Sequence, residues 1–207
     1  MSATPLLTRN EAAQLSGASP AVVNKAIEQR VVATRSVRRS SLIDARDVGA
    51  LSLFAGLGFR LPVAEKRRLA RWLRTAELGA EQSLGPPAVV VRKTPELDQV
   101  TKAALRYAHL RERFLEVNPE RQGGEPVVRG TRVPIRGLAR QIEAGESLDV
   151  LRQEYDYIDE DAFEFAVQWA SANPRRGRPS STATPAAEPS GRRAHIDRRR
   201  RELTAGA

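Results

Sequence analysis

Cysteine is absent from the 207 residues, so the chain carries neither a disulfide framework nor a thiolate metal site. Histidine occurs twice, as His109 and His195, one on an expected helix and one near the C-terminus, and neither has a nucleophile or a second ligand beside it in sequence. No glycine-rich phosphate loop is present: Gly123-Gly124 is not followed by Lys-Ser/Thr and is not preceded by a buried strand. Asp159, Glu160 and Asp161 form an acidic run, which capping and the helix dipole explain more simply than a metal does. The chain is therefore not expected to be an enzyme, and no cofactor or metal is expected. A long apolar run is also missing, and the start is charged and contains proline, so neither a membrane span nor a signal peptide is expected and a cytoplasmic protein is the default. Aromatic residues are sparse at 5%, although 41% apolar content suffices for modest cores in two small domains.

Positive charge is present in excess, with a formal net charge of +9, and it is unevenly placed. Residues 1–60 carry +4, 61–122 carry +4, 123–172 carry −5 and 173–207 carry +6. A polyanionic partner is thus expected to meet the N-terminal half or the tail, not the acidic segment between them.

The first 60 residues read as a helix-turn-helix followed by a wing. Thr8 with Glu11 three residues on makes a capping box, Ala12, Ala13 and Leu15 are small and apolar, and Gly17 ends the first helix. Ser19 caps a second helix with Pro20 at its first position and Val22, Val23 and Ile27 on its buried face. That leaves Ala21, Asn24, Lys25 and Glu28 outward, a surface able to lie in a major groove with Asn24 reading a base and Lys25 meeting a phosphate. Two short strands, Val31 to Ala33 and Leu42 to Ile43, are expected around a basic wing containing Arg35, Arg38 and Arg39. Asp44 then caps a helix carrying Val48, Leu51 and Phe54. The order resembles the winged helix-turn-helix of MerR-type regulators and phage excisionases. A small helical domain with surface arginines is the plainer alternative.

Residues 61–113 connect this unit to the next. An amphipathic helix over 62–78 puts Leu69, Trp72, Leu73 and Ala76 on one side and Lys66, Arg67, Arg71 and Arg74 largely on the other, as a dimerisation or inter-domain element. Ser83 to Pro87 reads as a linker, Ala88 to Arg92 as a short strand, and Pro95 to Arg113 as a long helix with Val100, Ala103, Ala104 and Tyr107 at helical spacing.

The densest local grammar lies between Gly123 and Trp169. Pro126, Val127 and Val128 form an extended arm, and Gly130 after them is expected at positive φ or in a close backbone approach. A helix should follow, with Pro134 in its first turn, Ile135, Leu138, Ala139 and Ile142 inward and Gly145 as a left-handed cap. A second helix begins at Ser147, with Leu148, Leu151 and Tyr155 on one face. In the third, Asp159 is the cap, Ile158 staples onto Phe163, and Phe163, Ala166, Val167 and Ala170 form the stripe. These make a trihelical, helix-turn-helix-like module over 114–172.

This stretch resembles the domain-of-unknown-function family 433, whose pattern runs from a Gly-Gly-x-Pro-Val arm through Gly-Thr-Arg-Val-Pro to a Gly-Glu-Ser turn and two acidic-capped helices. Gly124, Pro126, Val127, Gly130, Thr131, Arg132, Val133, Pro134, Gly145 and Ser147 carry the match. The family usually has proline after the tyrosine that ends the second helix, where this chain has Tyr155-Asp156-Tyr157. Members are commonly antitoxins encoded beside a PIN-like ribonuclease, so the resemblance implies a toxin-neutralising protein of the type II class.

Two basic features remain. Arg132, Arg136 and Arg140 recur every four residues and make one stripe, either a solvated face or a contact with the carboxylates of an acidic partner. Beyond Asn173 the composition of Pro, Ser, Thr, Ala and Arg points to a disordered basic tail. Its run Arg198, Arg199, Arg200, Arg201 is open to solvation, to a toxin contact or to nonspecific nucleic-acid binding. The resulting expectation is a mainly α protein with short β elements: a homodimeric antitoxin that binds operator DNA and a cognate PIN-like toxin. A DNA-binding regulator or excisionase-like factor without a toxin is the alternative.

Overall fold

Capping chemistry sets the first elements. The computed structural model describes residues 5–37, 40–85, 89–120 and 122–174. Arg38, Arg39, His195 and the whole expected tail beyond Pro174, including Arg198 to Arg201, lie outside the described residues. Thr8 and Glu11 form the reciprocal box expected at the start of α1 (Arg9–Ser16), the Thr8 hydroxyl accepting from Glu11 N at 3.3 Å and the Glu11 carboxylate from Thr8 N at 2.7 Å. Gly17, at φ 67°, ends that helix, and Ser19 caps α2 (Pro20–Glu28). Val23 and Ala26 are the fully inward residues of α2, while Val22 and Ile27 are half-buried.

A three-stranded antiparallel sheet follows, ordered β1 (Leu6–Leu7), β3 (Ser40–Asp44), β2 (Thr34–Val37). The first wing strand was expected at Val31 to Ala33 but begins at Thr34. Val31 and Val32 are both buried, and two consecutive inward side chains do not fit the alternation of a half-buried strand. Asp44 caps a short 3-10 turn, Ala45–Asp47, that runs into α3 (Val48–Gly56). Gly49 of α3 faces the long helix described below, where an added Cβ would meet the Thr101 hydroxyl.

The helix α4 (Val63–Thr75) buries Leu69, Ala70 and Leu73. Arg74, expected on its exposed side, instead turns inward and donates to both oxygens of a buried aspartate, Asp47. The expected linker at Ser83 is part of a hairpin: β4 (Glu81–Leu84) pairs with β5 (Val89–Arg92), burying Leu84 and Val91. Strand pairing across a loop is invisible to a local composition rule. Thr94 caps α5 (Pro95–Phe114), the long helix, whose inner face is Ala104, Tyr107, Ala108, Leu110 and Phe114; Ala103, expected inward, is exposed.

The C-terminal part starts with a two-residue ladder of β6 (Leu115–Glu116) and β7 (Val127–Val128). Gly130 follows at φ 75° with open space where a Cβ would sit, so backbone conformation alone favours glycine there. Pro134 is the N-cap of α6 (Ile135–Glu143), one position earlier than the first turn. Next come α7 (Leu148–Glu154), with Leu151 inward but Leu148 44% exposed, and α8 (Glu160–Ala172). The buried positions of α8 are Ala162, Phe163, Phe165, Ala166, Trp169 and Ala172, whereas Val167 and Ala170 are half-buried. The stripe is wider than expected because α8 has neighbours on two sides, α6 on one and α5 with α1 on the other. Phe165 lies 5.6 Å from the Tyr107 ring and 6.3 Å from Phe114.

Residues up to Pro174 cluster as one compact unit, and the sequence boundaries at 60 and 113 fall inside it. Two predictions follow from this shared core. Phe163→Ala should cost about 3–5 kcal/mol, and urea curves followed through Trp72 in a Trp169→Phe background and through Trp169 in a Trp72→Phe background should coincide; separate midpoints would show independent modules. Arg74→Ala strands the Asp47 carboxylate in the interior and should cost about 3–5 kcal/mol, which a loss below about 1 kcal/mol in the same measurement would contradict.

Candidate nucleic-acid and partner interfaces

The outward side of α2 holds Ala21, Lys25 and Glu28 exposed and Asn24 half-buried. Asn24 is not bare: its Oδ1 accepts from Arg9 Nη1 at 3.2 Å. Arg9 therefore joins this surface, although nothing but its place at the start of α1 marks it in sequence. Every residue of β2 is exposed, Arg35 included, and Arg35 pairs in register with Leu42. At the far end of α2, Arg67 donates from Nε and Nη2 to the Gln29 carbonyl at 2.9 and 2.7 Å. That guanidinium neutralises the negative end of the helix dipole, so α4 supports the placement of α2.

A buried acid network holds the base of the β2–β3 hairpin. Asp47, 0% exposed, accepts from the Ala33 N–H at 2.6 Å and from Arg74 Nε and Nη2 at 2.6 and 2.5 Å. Burial pushes the Asp47 carboxyl above its usual range, and the opposing Arg74 bonds do not fully offset it. Asp44 differs. Burial raises it too, but hydrogen bonds from Arg46 and the charges of Arg46 and Arg74 outweigh that and hold it below the usual range.

On the C-terminal side the three stripe arginines separate. Arg132 lies exposed ahead of α6 and so is out of helical register, Arg136 is half-buried with its guanidinium 4.8 Å from the Trp169 ring centroid, and Arg140 is exposed on α6. The stripe was drawn by extending α6 backward through Pro134, where the helix has not begun. Arg129 has the larger structural role: Nε donates to Arg113 O at 3.1 Å and Nη2 to Glu112 O at 3.0 Å and Leu115 O at 2.8 Å, capping α5. The acidic run at the start of α8 is doubly explained. Asp159 caps the helix, and arginines from two other helices meet the run: Arg113 with Asp159 at 2.6 Å, Arg106 with Asp161 at 3.8 Å and Arg152 with Glu160, while Arg106 also pairs with Glu164 at 2.8 Å. Arg106 and Arg152 with their carboxylate partners line a cleft of about 900 Å³ together with Ile142, Leu148, Phe163 and Val167.

His109 is exposed on α5, and no helix among the described residues is long and apolar enough to cross a membrane.

Residues 115–170 match the family model described as Protein of unknown function (DUF433). The match begins at β6, the strand that pairs with the β7 arm, so it contains both partners of that ladder. A relative, the uncharacterized protein y4eO of Sinorhizobium fredii, is 30% identical over 190 residues, covering 84% of each chain. No solved structure matches. Because that similarity covers 84% of the chain, well beyond the DUF433 segment, the chain belongs to the same family as y4eO.

Proposed function

We propose that the protein is the antitoxin of a type II toxin–antitoxin pair. Residues 1–60 act as a winged helix-turn-helix that binds operator DNA and represses the operon, and residues 123–207 neutralise a PIN-like ribonuclease. The observation that carries this is the combination, in one chain, of the capped α1–α2 pair and a hairpin whose β2 strand is exposed with the DUF433 segment at 115–170. The toxin half rests on the family resemblance of the Gly-Thr-Arg-Val-Pro loop. In DNA binding, Asn24 and Lys25 face the groove and Arg35, Arg38 and Arg39 meet phosphates of the flanking backbone.

The toxin contact follows from charge. A PIN-like nuclease gathers carboxylates around its metal, and guanidinium groups placed there form strong bidentate pairs. Arg132 and Arg140 are exposed for this role, Arg136 contributes from its seat over Trp169, and Arg198 to Arg201 supply a second source. The helical module has the advantage of order, since a segment that folds on binding loses about 2–5 kcal/mol in doing so. A DNA-binding regulator or excisionase-like factor without a toxin is favoured by one observation: α8 packs on α1 and α5, which gives the DUF433 segment a structural role in the same unit.

Two outcomes are expected. In mobility shifts on the DNA upstream of the gene, Arg38→Ala with Arg39→Ala should weaken binding to all sequences and lower the salt slope by about two. Asn24→Ala should relax sequence preference instead. Undiminished, equally salt-sensitive binding by a chain lacking residues 1–60 would refute the assignment. In co-expression with the neighbouring PIN-like gene, the full chain should rescue growth and the Arg132, Arg136, Arg140 triple alanine variant should not; loss of rescue on truncation after Asn173 alone would move the inhibitor to the tail.

A further inference from the structure

The far end of α2 carries an arginine where glycine is the usual residue. Its last turn closes with Arg30 N donating to Ile27 O and Val31 N to Ala26 O, both at 2.9 Å, while Val31 and Ala26 are buried. That pattern needs a left-handed residue at its centre, a place commonly taken by glycine. Here the residue is Arg30, at φ 51°, and among the described residues every other positive φ belongs to glycine. A side chain there is kept against a steric penalty that Gly17, at the end of α1, avoids. Arg30 is exposed, and among the described residues its guanidinium has no hydrogen-bond or ion-pair partner. The strain therefore holds a charge that the fold itself does not use.

Helix α4 brings two more cations to the same place. Arg67 donates to the Gln29 carbonyl, which belongs to the peptide that joins Gln29 to Arg30. One turn on, Arg71 Nε donates to Arg67 O at 3.3 Å, so the Arg71 side chain lies back over that turn with its terminal amino groups free. Arg67 and Arg71 are both exposed. The ion pairs of α4 are made by its other arginines, Arg68 with Glu65 at 3.9 Å and Arg74 with Asp47. Among the described residues, Arg30, Arg67 and Arg71 have no carboxylate partner, and Glu28, the exposed acid in the last turn of α2, pairs with none of them. Like charges four residues apart destabilise a helix, and a bound anion would offset that repulsion.

Guanidinium groups take phosphate oxygens through paired N–H donors. The nine residues of α2 span about 13 Å, and the major groove of a duplex is about 12 Å wide. A helix of that length lying across the groove therefore brings its far end to the opposite strand. We propose that Arg30 and Arg71 bind a backbone phosphate of that strand, with Arg67 as the positioning residue that holds α4 against the end of α2. The contact is separate from the hairpin arginines and rests on the operator-binding reading given above. It makes α4 part of the DNA footprint, and it carries no base preference because every phosphate is alike.

Arg30→Gly in the full chain separates binding from packing. Glycine suits φ 51° better than arginine, so the thermal midpoint of the variant should equal or exceed that of the parent chain. Its affinity for the duplex upstream of the gene should nevertheless fall about tenfold at about 0.1 M salt, and the slope of log K against log salt should drop by about one. Arg71→Ala should act alike, and both variants should lose affinity for an unrelated duplex in the same proportion. Arg30→Lys, which keeps the charge, should keep the slope. Parental affinity and slope in both Arg30→Gly and Arg71→Ala overturn the proposal and leave the operator reading standing, whereas a parent chain that binds no duplex overturns both. A lowered midpoint in Arg30→Gly assigns the side chain to the fold and also overturns it. So does tighter binding of poly-L-glutamate than of duplex at equal ionic strength, if Arg30→Gly abolishes it, since that marks the surface as a site for an acidic protein.

Discussion

One buried carboxylate joins α1 to the long helix α5. Glu11 is 0% exposed, yet its oxygens accept from Thr8 N at 2.7 Å and the Tyr107 hydroxyl at 3.1 Å, and lie 3.0 Å from Arg111 Nε. A charge taken out of water costs several kcal/mol unless neighbours replace its hydration. Here the replacements come from the helix that Glu11 caps and from α5, nearly a hundred residues on. Tyr107 stays a donor in this setting, because burial and the adjacent Glu11 charge push its phenol above its ordinary value. The same ring packs on Phe165, so one polar node and one aromatic contact place α1, α5 and α8 together.

That placement bears on how the proposed activities relate. A helix pair that reads DNA and a segment that binds a partner are often hung on separate domains, where linkers keep them independent. Here α8 of the DUF433 segment packs against α1 of the N-terminal helices, and Gln14 Nε2 donates to Ser171 Oγ at 3.2 Å across that junction. The two proposed surfaces therefore share one hydrophobic core.

Arginine has two uses in this fold, and a count of positive residues merges them. Arg67 caps α2, Arg74 neutralises Asp47, Arg129 caps α5, and Arg106, Arg113 and Arg152 pair with the carboxylates at the start of α8. Such groups are fixed by their acceptors. The arginines available for a partner are a smaller set at exposed positions outside these pairs, such as Arg35 and Arg140. Net charge consequently describes the approach of a partner better than the place where it docks.

The sequence by itself determined what a few neighbouring residues can decide. Caps at Thr8, Ser19, Ser147 and Asp159, left-handed glycines at Gly17, Gly130 and Gly145, and the helices between them depend on hydrogen bonds and φ angles set within about one helical turn. The outward face of α2 was legible for the same reason, since helical spacing alone sorts its residues. Tertiary structure decided the rest. The β4–β5 pairing, the inward turn of Arg74, the seat of Arg136 on Trp169, the burial of Phe165 and Trp169 and the closeness of Tyr157 to the Arg132 loop each require a partner from a distant part of the chain. A local pattern carries no information about that partner, because which of several amphipathic faces meet is settled by the joint packing of all of them.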